Sequence, residues 1–278
     1  MALFQGNVFS RTLGFETQVY VSLPQDGRRY QKEGPDRTLI LLHGVSDNAS
    51  GWIRHGLADT LAAKYNIAVL IPEGMKGLWL DMAFGPRYTA YLTGELPELA
   101  SKMFHLPVDR EHLMIAGLSM GGFGALHAAL TAPQTFGAVG SFSGVTDMKN
   151  FVASAETLQT TSDCGADFAQ DILAAVGPQG TLRPADDLYV LADQLAQAAL
   201  QPQIYLAVGE QDILTHSQNE AFFKHLQAAG LQAVYETWPG VHDWTFWNVA
   251  LDRFLENIMG QPEADNVFGG IPRYEMKQ

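Results

Sequence analysis

The chain is short of cysteine, of positive charge and of long apolar runs, and each shortage removes a class of protein. A single cysteine, Cys164, in 278 residues cannot close an intramolecular disulfide, so a disulfide-stapled secreted scaffold is excluded and a reducing cytoplasm is the expected setting. The opening MALFQGNVFSRTLGFE carries neither a basic n-region nor a long apolar h-region, which fits the same expected location. Seventeen Lys and Arg stand against thirty Asp and Glu, a net charge of −13 that repels a phosphate backbone. Neither a nucleic acid nor an anionic membrane is therefore an expected partner. The longest apolar stretches, such as Ile67 to Pro72, fall far short of the roughly 20 residues that cross a bilayer. H-E-x-x-H, paired C-x-x-C, G-x-x-x-x-G-K-[ST] and G-x-G-x-x-G are all absent, so no metal site, phosphate-cradling loop or cofactor is indicated.

What remains is a globular composition, with 47% hydrophobic and 17% charged residues and enough apolar content for a sizeable core. No repeat, low-complexity tract or charged block marks a linker, so residues 1–260 read as one domain and 261–278 as a tail without periodicity. Two alternating runs, Asn7 to Thr12 and Glu16 to Leu23, predict antiparallel edge strands before the Pro24-Gln25-Asp26-Gly27 turn. Short apolar runs without alternation follow at Thr38–Leu42, Ile67–Ile71, His112–Ala116, Ala138–Phe142 and Gln203–Val208, the signature of strands buried on both faces of a parallel sheet. Helix-like stretches at 51–65, 87–105, 120–131, 216–229 and 243–258 separate them, which predicts a mostly parallel α/β sheet with its ligand at the strand C-terminal ends. Thr146 to Gln201 breaks the alternation and reads as an insertion above the sheet, where it would shape a substrate pocket.

Chemistry concentrates at Gly117-Leu118-Ser119-Met120-Gly121, a G-x-S-x-G between a strand-like run and the helix-like GFGALHAALTA. That context puts a serine on a tight, strained turn where larger flanking residues would collide with strand and helix. A serine hydroxyl needs a base, and on such a fold the histidine follows the last strand. His242 fits, lying in Trp238-Pro239-Gly240-Val241-His242-Asp243-Trp244 between the strand-like Ala233 to Thr237 and the final helix. His216 and His225 fall in or beside a helix, His127 lies in the helix after Ser119, and His43, His55, His105 and His112 precede the serine. These seven read as core or surface histidines. The base needs a carboxylate to fix its tautomer. Asp212, at the end of the strand-like Gln203–Val208, is favoured over Glu210, and Asp243 reads better as an N-cap of the last helix. Oxyanion donors are expected from Met120 and from the turn Leu41-Leu42-His43-Gly44-Val45, through the N–H of Val45 or Gly44. Trp52, Trp79, Phe84, Trp244 and Trp247 either line or buttress the pocket mouth or pack the core.

Together these blocks resemble the esterase D superfamily of α/β-hydrolases, particularly its tributyrin-esterase branch. The resemblance runs through LLHGVSDNASGW at 41–52, IPEGMKGLWLDMAFG at 71–85, IAGLSMGGFGAL at 115–126, SFSG at 141–144, GEQDIL at 209–214 and GVHDWTFW at 240–247, covering most of residues 7–258. It implies the α/β-hydrolase fold, Ser119 as nucleophile, Asp212 as acid, His242 as base and oxyanion donors at Val45 and Met120. It further implies hydrolysis of small-acyl carboxylic esters without a cofactor, a small-molecule ester as partner, and a homo-oligomer. Related branches act on S-formylglutathione or cinnamoyl esters, and others of this fold transfer the acyl group to a sugar. GLSMGGFGAL, in place of a GHSMGG form, points to the carboxylesterase branch, and the tail after residue 260 departs from the usual family ending.

Overall fold

The computed structural model describes residues 1–161, 165 and 167–262. Cys164 and nearly all of the tail lie outside the described residues.

β1 (Ala2–Ser10) and β2 (Phe15–Leu23) form an antiparallel hairpin. β1 starts at Ala2 rather than Asn7 because it is an edge strand exposed on both faces, so the polarity alternation that a half-buried strand shows is missing from its first half. A short α1 (Arg28–Glu33) leads to β3 (Arg37–Leu42). The expected helix over 51–65 is two pieces, α2 (Gly51–Arg54) and α3 (Ala58–Tyr65), parted around Gly56, and β4 (Ile67–Pro72) follows. The stretch expected as one helix over 87–105 runs α4 (Tyr88–Ala90), a π turn over Tyr91–Glu95, and α5 (Leu96–Phe104). Pro97, which has no N–H to donate back along the helix, sits just after that wide turn. Glu95 on the turn accepts hydrogen bonds from Ser10 Oγ, the Arg11 N–H and the Thr12 N–H, and so ties the hairpin to the body of the sheet.

β5 (Leu113–Leu118), α6 (Met120–Thr131) and β6 (Ala138–Phe142) come next. The inserted stretch holds α7 (Met148–Ala153), α8 (Ala155–Thr161), α9 (Phe168–Val176) and α10 (Leu188–Leu195). β7 (Gln203–Gly209), α11 (His216–Ala228), β8 (Ala233–Trp238) and α12 (Trp244–Met259) complete the order. The eight strands make one sheet, β1-β2-β4-β3-β5-β6-β7-β8, antiparallel at β1-β2 and β2-β4 and parallel from β4 to β8.

Both faces of the parallel part are covered, which is why its strands read as unbroken apolar runs. Along β3, Leu39 and Leu41 pack with α3 and α12 through Leu61, Tyr65, Phe246 and Phe254. Ile40 and Leu42 point the other way, into a layer built on α5, α6 and α11. Strand C-terminal ends gather along one rim, and Val45, Ser119, Asp212 and His242 stand in the turns directly after β3, β5, β7 and β8.

Candidate active site

Ser119 is the residue between β5 and α6, and its backbone is held at φ 52° and ψ −119°. A non-glycine residue in this region costs on the order of 1–3 kcal/mol, and the surroundings must over-determine it. They do so through three bonds: the Ser119 N–H donates to Phe142 O at 2.9 Å, and Ser119 O accepts from the N–H of Phe123 at 3.1 Å and of Val145 at 3.3 Å. The turn also brings α6 close against β3. A Cβ on Gly121 would lie 2.5 Å from Leu42 O and 2.7 Å from His43 O, so backbone meets backbone where only glycine fits.

The side chains of Ser119, His242 and Asp212 converge. His242 Nε2 lies 3.0 Å from Ser119 Oγ, and His242 Nδ1 lies 2.8 Å from Asp212 Oδ2. Asp212 is buried, and its second oxygen, Oδ1, accepts the N–H groups of Leu214 and Thr215 at 3.0 Å each. The Thr215 hydroxyl donates to Oδ2 at 2.8 Å. Burial by itself would raise the Asp212 carboxyl, but the hydrogen bond and charge of His242, with the Thr215 hydroxyl, outweigh it and hold the group at about 2. The carboxylate is therefore ionised across the working pH range. As an acceptor-only group, it fixes the proton of a neutral His242 on Nδ1 and leaves the Nε2 lone pair facing the serine. Trp247 meets the His242 ring edge-on at 5.0 Å between centroids and limits its swing.

Val45 follows Gly44 at the end of the β3 turn, and Met120 is the first residue of α6. Among the described residues neither N–H has a hydrogen-bond acceptor. First-turn helix N–H groups have no partner within their own helix. Gly44 packs against Ser119, and a Cβ there would come within 2.8 Å of Leu118 Cδ1 and 3.6 Å of Ser119 Cβ. Ser119 and His242 open into a cavity of about 440 Å³ lined also by Val45, Asp47, Phe151, Leu158, Gln218 and Trp244. Phe151 and Leu158 come from α7 and α8, so among the described residues only the first part of the inserted stretch walls the cavity. The later α10 packs against α6 instead.

The rival candidates sit elsewhere. Glu210 is exposed, with its backbone N–H on Trp238 O, whereas Asp243 accepts the Phe246 N–H at 2.9 Å as the N-cap of α12. His127 is buried beside Asp186, far along the chain from His242 and without contact to Ser119. Of the aromatics, Trp244 and Trp247 line the cavity, and Trp52 and Trp79 are fully buried beneath it, donating to Leu42 O and His43 O. Phe84 is 68% exposed and forms no part of the cavity wall, since its loop is drawn to the C-terminal end of α9 by the Phe84 N–H on Ala174 O. Three neighbours of the site escaped the sequence reading. Thr215 was signalled by its place three residues after Asp212 and just before a helix pattern, where an Asx turn forms. His43 was dismissed because it precedes the serine, and Glu73 stood alone after an apolar strand.

A parallel sheet with a serine, a histidine and a carboxylate in hydrogen-bonded sequence at its C-terminal rim defines a serine hydrolase of the α/β-hydrolase type. More specifically, the chain belongs to the Esterase family, whose model matches residues 10–258, and it is an enzyme acting on carboxylic ester bonds. It is 31% identical over 256 residues to an acetyl esterase of Caldicellulosiruptor saccharolyticus, covering 89% of this chain and 94% of the relative. The fluorophosphonate-binding serine hydrolase F of Staphylococcus aureus, solved with substrate bound, superposes with a TM-score of 0.78 at 27% identity, over 93% of this chain and 98% of that one. An S-formylglutathione hydrolase from Staphylococcus aureus superposes with a TM-score of 0.75 at 28% identity, over 93% and 98% of the two chains. No helix among the described residues is long and apolar enough to cross a membrane.

Proposed function

We propose that the protein is a short-chain serine carboxylesterase of the tributyrin and acetyl-ester type, working through an acyl-enzyme on Ser119. The observation that carries this reading is the continuous chain Ser119 Oγ, His242, Asp212 at 3.0 and 2.8 Å, opening on two unpaired N–H groups. Ser119 Oγ attacks the ester carbonyl as His242 Nε2 takes its proton, and the oxyanion forms against the Val45 and Met120 N–H groups. His242 then gives the proton to the departing alcohol. Water enters, loses a proton to the same nitrogen, and releases the acid from Ser119. Similarity to an acetyl esterase supports a small acyl group, and so does a cavity of about 440 Å³ walled by Phe151 and Leu158. The described residues lining the cavity include Asp47 and Asp243 but no lysine or arginine. This favours a neutral alcohol over the carboxylates of S-formylglutathione, and cinnamoyl-ester hydrolysis and acyl transfer stand as rivals to the same chemistry.

The expected setting is the cytoplasm, and a homo-oligomer belongs to the same reading. It is supported by the outer edge of β1, which carries no charged residue in a chain of net charge −13 and exposes Leu3, Phe4 and Phe9. Initial rates on p-nitrophenyl esters from acetate to decanoate, with wild type and Ser119→Ala, test the main proposal. Rates that decline beyond butyrate and vanish in the variant are expected, because loss of the nucleophile removes several orders of magnitude. Near wild-type hydrolysis by Ser119→Ala would end it.

A further inference from the structure

Beneath the turn that carries Val45 lies a buried pair that the hydrolytic sequence above does not use. His43 has no exposed surface, and both of its ring nitrogens have polar partners. Nδ1 lies 2.8 Å from Gly44 O, the carbonyl of the peptide whose N–H belongs to Val45. A carbonyl oxygen can only accept, so Nδ1 is the donor. In a trans peptide the C=O and N–H point in opposite directions, and a grip on Gly44 O therefore sets the direction of the Val45 N–H. The Asp47 N–H, 3.3 Å from the same oxygen, completes the hold.

The other ring nitrogen faces Glu73. His43 Nε2 is 3.2 Å from Glu73 Oε1 and 3.1 Å from the Gly74 N–H. Glu73 reaches past the ring to the far side of the same turn, where its Oε2 accepts the Ala49 N–H at 3.0 Å, while Oε1 accepts the Met75 N–H at 2.7 Å. Burial would raise this carboxyl, yet the bond and charge at His43, with the Ala49 and Met75 N–H groups, bring it down to about 2. It is thus an ionised acceptor that holds the Ala49 end of the segment through Oε2 and lies against the His43 ring through Oε1. Trp79 closes the assembly from below, with its indole N–H on His43 O at 3.2 Å and its ring edge-on to the imidazole at 5.0 Å. The loop that carries Trp79 holds Met75, Leu78 and Trp79 at φ 47°, 53° and 58°, and non-glycine strain of this kind persists where packing enforces one conformation.

We infer that His43 and Glu73 are positioning residues that aim the Val45 N–H at the oxyanion. The inference rests on the serine-esterase reading. His43 acts through the Gly44–Val45 peptide, and Glu73 acts through His43 and Ala49. Neither residue lines the cavity. Their effect therefore belongs to the transition state, with substrate affinity left nearly unchanged.

The test measures kcat and KM on p-nitrophenyl acetate for His43→Leu, His43→Asn, Glu73→Gln and Ser119→Ala. Alongside it runs the Ki of a short-chain trifluoromethyl ketone, which adds to the serine and places an oxyanion against the same N–H groups. His43→Leu removes the grip, and kcat is expected to fall about 100-fold, the scale for losing one oxyanion donor, with Ki rising in parallel and KM within about threefold. Asparagine carries an N–H close to the place of Nδ1, so His43→Asn is expected to recover most of that loss. Glu73→Gln, which keeps acceptor capacity but loses the charge, should fall between. Folding is checked by thermal unfolding of each variant. If His43→Leu does not fold, the decision passes to the ketone affinity of His43→Asn and Glu73→Gln. Folded variants with wild-type kcat and Ki overturn the inference, as does a loss confined to KM. An inactive Ser119→Ala beside a fully active His43→Leu overturns only the positioning role, whereas an active Ser119→Ala overturns the esterase reading itself.

Discussion

Replacing Asp212 by asparagine changes one atom, and the structure dictates which way round the new amide sits. Asp212 Oδ1 accepts two backbone N–H groups, from Leu214 and Thr215, at 3.0 Å each. An NH₂ placed there would face both donors and leave the buried Thr215 N–H unpaired, at about 1–3 kcal/mol, together with the part-buried Leu214 N–H. The amide oxygen therefore takes the Oδ1 position and the NH₂ takes that of Oδ2, 2.8 Å from His242 Nδ1 and 2.8 Å from Thr215 Oγ1. The hydroxyl can rotate to accept. The imidazole cannot, except by carrying its proton on Nε2, and that is the nitrogen 3.0 Å from Ser119 Oγ.

The variant thus keeps its packing and most of its hydrogen bonds but holds the base in the tautomer that cannot take the serine proton. The expected loss in kcat is about 10⁴-fold, the scale known for this change in other serine hydrolases. At 1.36 kcal/mol per decade it corresponds to about 5 kcal/mol of barrier. Substrate affinity does not involve the buried carboxyl, so KM should stay within about threefold. Initial rates on p-nitrophenyl butyrate give both constants, and a far-UV spectrum with a thermal melt shows that the fold persists. A folded Asp212→Asn that keeps a tenth or more of wild-type kcat would refute the assignment of this carboxylate and the tautomer reasoning together.

Other consequences can be measured independently. Phe151→Ala removes part of the cavity wall, and each further methylene of acyl chain that it admits should gain about 0.8 kcal/mol, or roughly fourfold in relative kcat/KM. An unchanged chain-length profile would show that α7 does not bound the acyl group. Gly121→Ala forces a Cβ to within 2.5 Å of Leu42 O, so it should cost about 1–3 kcal/mol in urea unfolding and depress kcat as Ser119 shifts with the helix. Wild-type stability would contradict the close approach. Asp212 and Glu73 are both lowered to about 2, from ordinary values of 3.8 and 4.5. A depressed carboxyl contributes stability that is complete above its unfolded value and is lost as pH falls through the folded one. Stability should therefore decline between about pH 5 and pH 2. Glu73→Gln should flatten that decline, and a urea midpoint with the same pH profile in both proteins would exclude Glu73 as a cause.

The part of the site that could be read from the chain is the part set by sequential context. G-x-S-x-G between an apolar run and a helix pattern states its own backbone conformation, and Asp212 and His242 were found because each directly follows a strand. The parallel strands were legible for a related reason, since burial on both faces leaves only apolar residues in them. Legibility failed where the deciding contact joins distant segments. β1 was shortened because a strand with no buried face shows no period, and the helix over 87–105 was drawn unbroken although Pro97 demands a wider turn. His43 and Glu73 are separated by 30 positions and by the whole of α2, α3 and β4, and only the pairing of β3 with β4 brings them together. Read alone, His43 is a core histidine and Glu73 a solvated acid after a strand. Neither description is false of the isolated residue. The role proposed for His43, with Nδ1 on Gly44 O and Nε2 beside the Glu73 carboxylate, comes from the strand pairing beneath it. For that reason, substitutions at 43 and 73 test the fold's contribution to catalysis more directly than any change at Ser119.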